Sequence, residues 1–69
     1  MTKEIIFMVE EEPEGGYVAK ALGHAIFTQA ETEDELKHNV KEAVLAHFGE
    51  EDKPEIICLR FVREEVIPA

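Results

Sequence analysis

Residues Phe27 to Val44 read "FTQAETEDELKHNVKEAV", and the step from strand to helix lies inside this stretch. Thr32 is a good N-cap residue, and Glu35 three positions later completes a capping box. Glu33 and Asp34 fall in the first turn, where the helix dipole favours negative charge. The acids of this stretch therefore indicate the start of a helix rather than a catalytic cluster.

The helix that begins after Thr32 is expected to bury one face. Its apolar residues recur at the three- and four-residue spacing of a buried stripe. The stripe consists of Leu36, Val40, Ala43, Val44 and His47, widened by Leu45 and Phe48. His47 is expected to pack in the core near the negative end of the helix. Gly49 is the expected stop, since glycine readily takes the left-handed conformation that ends helices.

Four strands are predicted around this helix from their β-branched and aromatic residues. Their ranges are Lys3–Glu11, Tyr17–Leu22, Ala25–Ala30 and Ile56–Ile67. Pro13 and the pair Gly15-Gly16 predict a turn between the first two strands, and Gly23-His24 breaks the second from the third. The order is β-β-β-α-β, which predicts an α+β domain.

The topology follows from the single helix, which can cover only one face of the sheet. A right-handed crossover lays the last strand parallel to the first and gives the order 3-2-1-4. Both of these strands carry apolar residues on both faces. The uncovered face is expected to expose Ile6, Met8, Ile56, Cys58 and Val62. Such a patch usually marks an interface and predicts a two-fold dimer, unless terminal residues fold back over it.

Composition narrows the class of function. The 69 residues form one domain, 1–69, in which 16 acidic residues face seven basic ones, for a net charge of −9. Without a basic stripe, direct binding of nucleic acid is not expected. The acidic surface could attract a basic protein, or serve only solubility. A single cysteine, no secretion signal and no membrane-length apolar run predict a cytoplasmic protein without membrane contact.

Catalytic and metal chemistry find little support in the sequence. His24, His38 and His47 form no pair at zinc-helix spacing, and Cys58 cannot make a structural zinc site alone. Cys58 also lies in an apolar strand without an evident base. The acids fall at a turn, a helix start and a loop, where solvation is the simpler interpretation. Gly15-Gly16 joins two strands and is not a phosphate loop. We expect no enzyme activity, metal or cofactor.

The motifs "EGGYVAKA" and "TQAETEDELKHNVKEAV" resemble the N-terminal domain of HicB-like antitoxins. In that family an E-G-G-Y strand is followed by T-Q-G-x-T and by a helix with regularly placed Glu, Ala and Asn. The matching residues are Glu14, Gly15, Gly16, Tyr17, Thr28, Gln29, Thr32, Glu35, Asn39, Glu42 and Ala43. The resemblance runs from the first strand to the last, and the order and spacing of the motifs carry it.

The resemblance implies a fold like a reduced ribonuclease-H core that lacks its catalytic carboxylates. HicB-like domains bind and neutralise a small, basic HicA-like ribonuclease toxin, which itself resembles a double-stranded-RNA-binding domain, and they commonly oligomerise. The resemblance therefore implies a basic protein as partner. An acidic chain is physically suited to such a partner.

The chain also departs from the family pattern. Ala25-Ile26-Phe27 stand where the family has Pro-Gly-Cys, and Ala30 replaces a glycine. The chain ends at "EEVIPA", which leaves no room for the DNA-binding module of a full antitoxin. A solitary toxin-binding domain is therefore expected, or a relative with another role. The alternatives are a small-molecule or metabolic accessory domain that uses the uncovered sheet face, and an RNA-processing enzyme, which would need carboxylates clustered at a metal.

Overall fold

A computed structural model describes residues 3–63 and 65–69 of the chain. The elements are β1 (Glu4–Glu11), β2 (Tyr17–Ala21), β3 (Phe27–Ala30), α1 (Glu33–Asp52) and β4 (Ile56–Val62). The predicted order β-β-β-α-β and the α+β class are confirmed.

The four strands form one sheet of order β3-β2-β1-β4, as predicted. β1 pairs with β2 antiparallel and with β4 parallel, so that Phe7 lies between Ala21 and Leu59. β3 pairs antiparallel with the other edge of β2. β1 is thus an inner strand with a neighbour on each side, and the crossover through α1 brings β4 beside it.

The last strand is shorter than the predicted Ile56–Ile67. Its pairing with β1 ends at the register pair Glu10 and Val62, because β1 ends at the next residue and leaves no partner for a longer β4. Val66 and Ile67 lie beyond the strand and are 86% and 79% exposed. Glu64 lies outside the described residues.

The other strand limits differ less from the prediction. β1 begins one residue later, at Glu4, and β2 ends one residue earlier, at Ala21. β3 begins at Phe27 rather than Ala25, because the chain is still turning from β2 at Ile26, whose carbonyl accepts a hydrogen bond from the Ala21 N–H at 3.0 Å.

The predicted N-cap is present at the start of α1. The Thr32 hydroxyl accepts a hydrogen bond from the backbone N–H of Glu35 at 3.1 Å, and Thr32 has extended backbone angles. Glu33 and Asp34 lie in the first turn as expected. The cap satisfies one of the N–H groups that a helix start leaves without an internal partner.

Gly49 interrupts α1 but does not end it. Its φ of 83° and ψ of 170° are non-helical, as a stop at Gly49 predicts. A short helical turn nevertheless continues to Asp52, and the Lys53 N–H donates to the Gly49 carbonyl at 3.1 Å. The position of the break was predicted correctly, whereas the last helical residue was not.

The core lies between α1 and one face of the sheet. Its buried members are Ile5, Phe7, Val9, Ala19, Ile26, Ala30, Leu36, Val40 and Val44. Leu36, Val40 and Val44 confirm the predicted stripe. The prediction for His47 is wrong: the residue is exposed beside His24, with ring centroids 6.0 Å apart, because Phe48 rather than His47 packs against the core at this end of α1. Leu45 is likewise exposed.

Gly15 and Gly16 close the turn between β1 and β2. Their φ angles are +100° and +92°, a region that side chains rarely adopt. The turn is held by hydrogen bonds between Glu12 and both residues. A Cβ on Gly16 would lie 3.1 Å from the Ala30 carbonyl oxygen, whereas a Cβ on Gly15 would meet nothing within 4 Å. Gly16 thus allows the turn to approach the end of β3.

Replacing each glycine by alanine separates these two effects. Gly15→Ala should lower the free energy of unfolding by about 1 kcal/mol through backbone strain alone. Gly16→Ala carries the same strain and also crowds the Ala30 carbonyl, which adds roughly 1 kcal/mol. Urea denaturation followed by circular dichroism measures both. Equal losses in the two variants would contradict the close approach at Gly16.

Candidate functional site

The five residues predicted to lie on the uncovered face all lie on the side of the sheet away from α1. Ile6 and Cys58 are register partners, Glu4 pairs with Ile56, and Glu10 pairs with Val62. Ile6, Met8 and Cys58 are half-buried, whereas Ile56 and Val62 are 47% and 40% exposed. We call this side of the sheet the open face. That it mediates self-association stays a prediction.

β2 and β3 contribute a further part of the open face, which was not predicted from the sequence. Met8 pairs with Lys20, and Lys20 in turn pairs with Phe27, so these side chains form one row across the sheet. Val18 and Gln29 form the next row beside Glu10. Phe27 is 56% exposed. Period-two alternation along the second and third predicted strands could have identified this extension.

The open face differs in charge from the rest of the chain. Its formal charges are Glu4 and Glu10 on β1, Lys20 on β2 and Arg60 on β4, as the strand registers place them. The two negative and two positive charges cancel, so the formal net charge of the open face is zero. The whole chain carries −9, so the open face is a neutral and apolar area on an acidic protein.

A cleft of about 730 Å³ lies at the end of the sheet where β1 turns into β2. Tyr17 and Phe61 line it, and their rings meet edge to face with centroids 6.4 Å apart. Four exposed carboxylates also line the cleft: Glu10, Glu11, Glu12 and Glu33. We call this site the acidic cleft.

The basic residue of the acidic cleft is itself paired. The Arg63 guanidinium lies 2.7 Å from a carboxylate oxygen of Glu65, and both side chains are largely exposed. The cleft therefore presents a strongly negative rim around two aromatic rings. Carboxylates and aromatic rings both attract organic cations such as the side chains of lysine and arginine.

The environment of Tyr17 reflects the negative charge around it. Burial of the phenol raises the pKa of Tyr17 above its ordinary value of 10.0, and the neighbouring carboxylates of Glu11 and Glu33 raise it further. Both effects disfavour a second negative charge at this position. The phenol stays neutral at physiological pH and remains able to donate a hydrogen bond.

Several of the residues that carry the HicB resemblance have structural roles in this chain. Gly15 and Gly16 form the turn, and Thr32 caps the helix. The Asn39 side-chain amide donates to the backbone carbonyl of Gln29 at 3.1 Å, which ties α1 to β3. Of these six residues, Tyr17 alone lies at the acidic cleft. The exposed Glu14, Thr28 of β3, and Glu35, Glu42 and Ala43 of α1 complete the set.

Residues 3–63 and 65–69 hold no group of three or more His, Cys, Asp or Glu side chains placed to bind a metal ion. Within the same residues, no helix is long and apolar enough to cross a membrane. His38 lies 3.8 Å from Glu42 on the exposed side of α1, away from the other two histidines.

Two known proteins are similar to this chain, and both are named UPF0150 protein. The one from Archaeoglobus fulgidus is 54% identical over 52 residues, which cover 75% of this chain and 77% of the relative. The one from Thermotoga maritima is 42% identical over 65 residues, or 94% of this chain and 91% of the relative. No family model matches the chain, and no solved structure matches it.

The single tyrosine makes the acidic cleft measurable by titration. The absorbance of the phenolate should rise with a midpoint above pH 10, and Glu11→Gln with Glu33→Gln should move that midpoint downward. Because the folded pKa is raised, the contribution of Tyr17 to stability is present below pH 10 and is lost as the pH rises through the folded pKa. The exchange Glu42→Gln on α1 is the control. A midpoint unmoved by the double exchange would contradict the proximity of these carboxylates.

Proposed function

The chain belongs to the UPF0150 protein family, and we propose that it acts as an acidic, non-catalytic protein-binding domain. The observation that carries this proposal is the acidic cleft, in which four carboxylates surround Tyr17 and Phe61. A cationic side chain of a partner can pair with the carboxylates and contact an aromatic ring in the same place. The partner is therefore a basic protein.

The antitoxin resemblance makes the proposed partner more specific. A HicA-like ribonuclease toxin is small and basic, because it must bind the phosphates of RNA. An acidic domain that occupies such a surface blocks RNA by offering carboxylates in place of phosphates. The net charge of −9 adds long-range attraction, which speeds the encounter of oppositely charged proteins. Neutralisation of such a toxin is the function that we propose.

The absence of catalysis belongs to the same proposal. Acid–base catalysis by a carboxyl group generally requires shielding from solvent that tunes its pKa. The four carboxylates of the acidic cleft are all exposed. Among the described residues, no polar or charged residue is buried. These observations favour recognition of a partner's charge over chemistry on a bound substrate.

The test first establishes whether a gene beside this one in its native genome encodes a small basic protein, and that protein is then purified and titrated into the full chain by calorimetry. We expect a complex whose affinity falls steeply with added salt. The triple variant Glu11→Gln, Glu12→Gln and Glu33→Gln should weaken binding about tenfold, since each exposed pair contributes about 0.2–1 kcal/mol. The matched control, Glu42→Gln, Glu50→Gln and Glu55→Gln, removes the same charge elsewhere and should weaken binding much less.

Two results would contradict the proposal. Equal weakening by the triple variant and by its control would show that net charge acts without the acidic cleft. No binding at low salt, together with a melting shift produced by a small metabolite, would instead support the small-molecule accessory role. Restored cleavage of RNA by the partner when the triple variant replaces the native chain would support neutralisation through the cleft.

A further inference from the structure

We propose that the open face binds a second copy of this chain. The face consists of one side of all four strands, and every strand contributes apolar side chains to it, interspersed with Glu4, Glu10, Lys20 and Arg60. The apolar members are Ile6, Met8, Val18, Phe27, Ile56, Cys58 and Val62. Phe27, Ile56 and Val62 are exposed large apolar residues of this face, and a collection of such residues on one side of a small domain usually marks an interaction surface.

The packing of α1 explains why this area is left uncovered. The helix lies over β2 and β3, on the opposite side of the sheet. It supplies the only layer of structure among the described elements that packs against the sheet. Residues 3–63 and 65–69 therefore place no second layer over the open face, although Ile6, Met8 and Cys58 are already half-buried by their neighbours on the strands.

Charge identifies the occupant as another copy rather than a basic partner. Two chains that each carry a net charge of −9 repel each other in most relative orientations. The open face is the exception, because Glu4 and Glu10 are balanced there by Lys20 and Arg60. A basic partner gains more from the acidic cleft than from this neutral area. A second copy instead brings an identical mixture of two acids and two bases, which can pair with the first.

The arrangement of these charges favours crossed sheets in the dimer. Lys20 and Arg60 lie on either side of Met8, and Glu10 lies two residues along the central strand. Consider a two-fold axis that passes through Met8 in the plane between the two sheets. If the axis runs parallel or perpendicular to the strands, Lys20 and Arg60 of one copy face the same two cations of the other copy. Neighbouring strands of a sheet are about 4.8 Å apart, and residues i and i+2 of one strand are about 6.6 Å apart, so the two distances are similar. Sheets crossed near a right angle therefore place Glu10 opposite a cation of the other copy.

The test reverses the two kinds of charge in separate chains. The acidic variant carries Lys20→Glu and Arg60→Glu, and the basic variant carries Glu4→Lys and Glu10→Lys. Light scattering coupled to size exclusion should give the mass of two chains for the native protein. Each variant alone should give the mass of one chain, because like charges then face each other. An equimolar mixture of the variants should recover the mass of two chains.

The control pair is Lys37→Glu with Lys41→Glu on the exposed side of α1, which makes the same charge change as the acidic variant and should leave the dimer intact. Circular dichroism checks that every variant is folded. A native protein with the mass of one chain at high concentration would overturn the proposal. So would a dimer that survives both charge reversals, which would place the contact on another surface, such as the free edge of β3 or of β4. Neither result depends on the basic partner of the proposed function.

Discussion

A single helix faces a four-stranded sheet, and the rest of the structure depends on this imbalance. Phe7 and Val9 on β1 and Leu36 on α1 are completely buried between the two layers. Burying side chains of this size stabilises the fold by about 1.5–3 kcal/mol each. In the part of the chain that the structure describes, no such layer packs on the opposite side of the same strands. The fold is therefore complete on one side of the sheet and open on the other.

The two candidate surfaces arise from different features of this arrangement. The open face is what the missing second layer leaves uncovered, and it is apolar and neutral. The acidic cleft forms at the end of the sheet, where the turn after β1 and the first turn of α1 bring acids around Tyr17 and Phe61. The two surfaces meet at Glu10 and Val62, which lie on the open face and also line the acidic cleft. The rest of the open face is suited to a copy of the chain, and Glu11, Glu12 and Glu33 of the cleft to a cationic partner. A domain with both can assemble with itself and still present its negative charge outward.

The sequence predicted the topology because its signals were local and consistent. The cap at Thr32, the glycine turn at Gly16 and the alternation along the first strand each indicate one structure. The acidic cleft was not predicted, because Tyr17 and Phe61 are distant in the chain and meet only in the folded protein. The exposure of His47 was missed because helical spacing does not show which of two adjacent residues, His47 or Phe48, packs against the core at the end of the helix.

The central claim, that the open face is covered by a second copy, is tested most directly by the reactivity of Cys58. This thiol lies on the open face and is the only cysteine of the chain. We predict that a thiol reagent labels it slowly in concentrated protein and faster on dilution, as the dimer dissociates. The variant Met8→Glu should react fast at every concentration. A native rate that is independent of concentration and equal to that of the variant would contradict the claim.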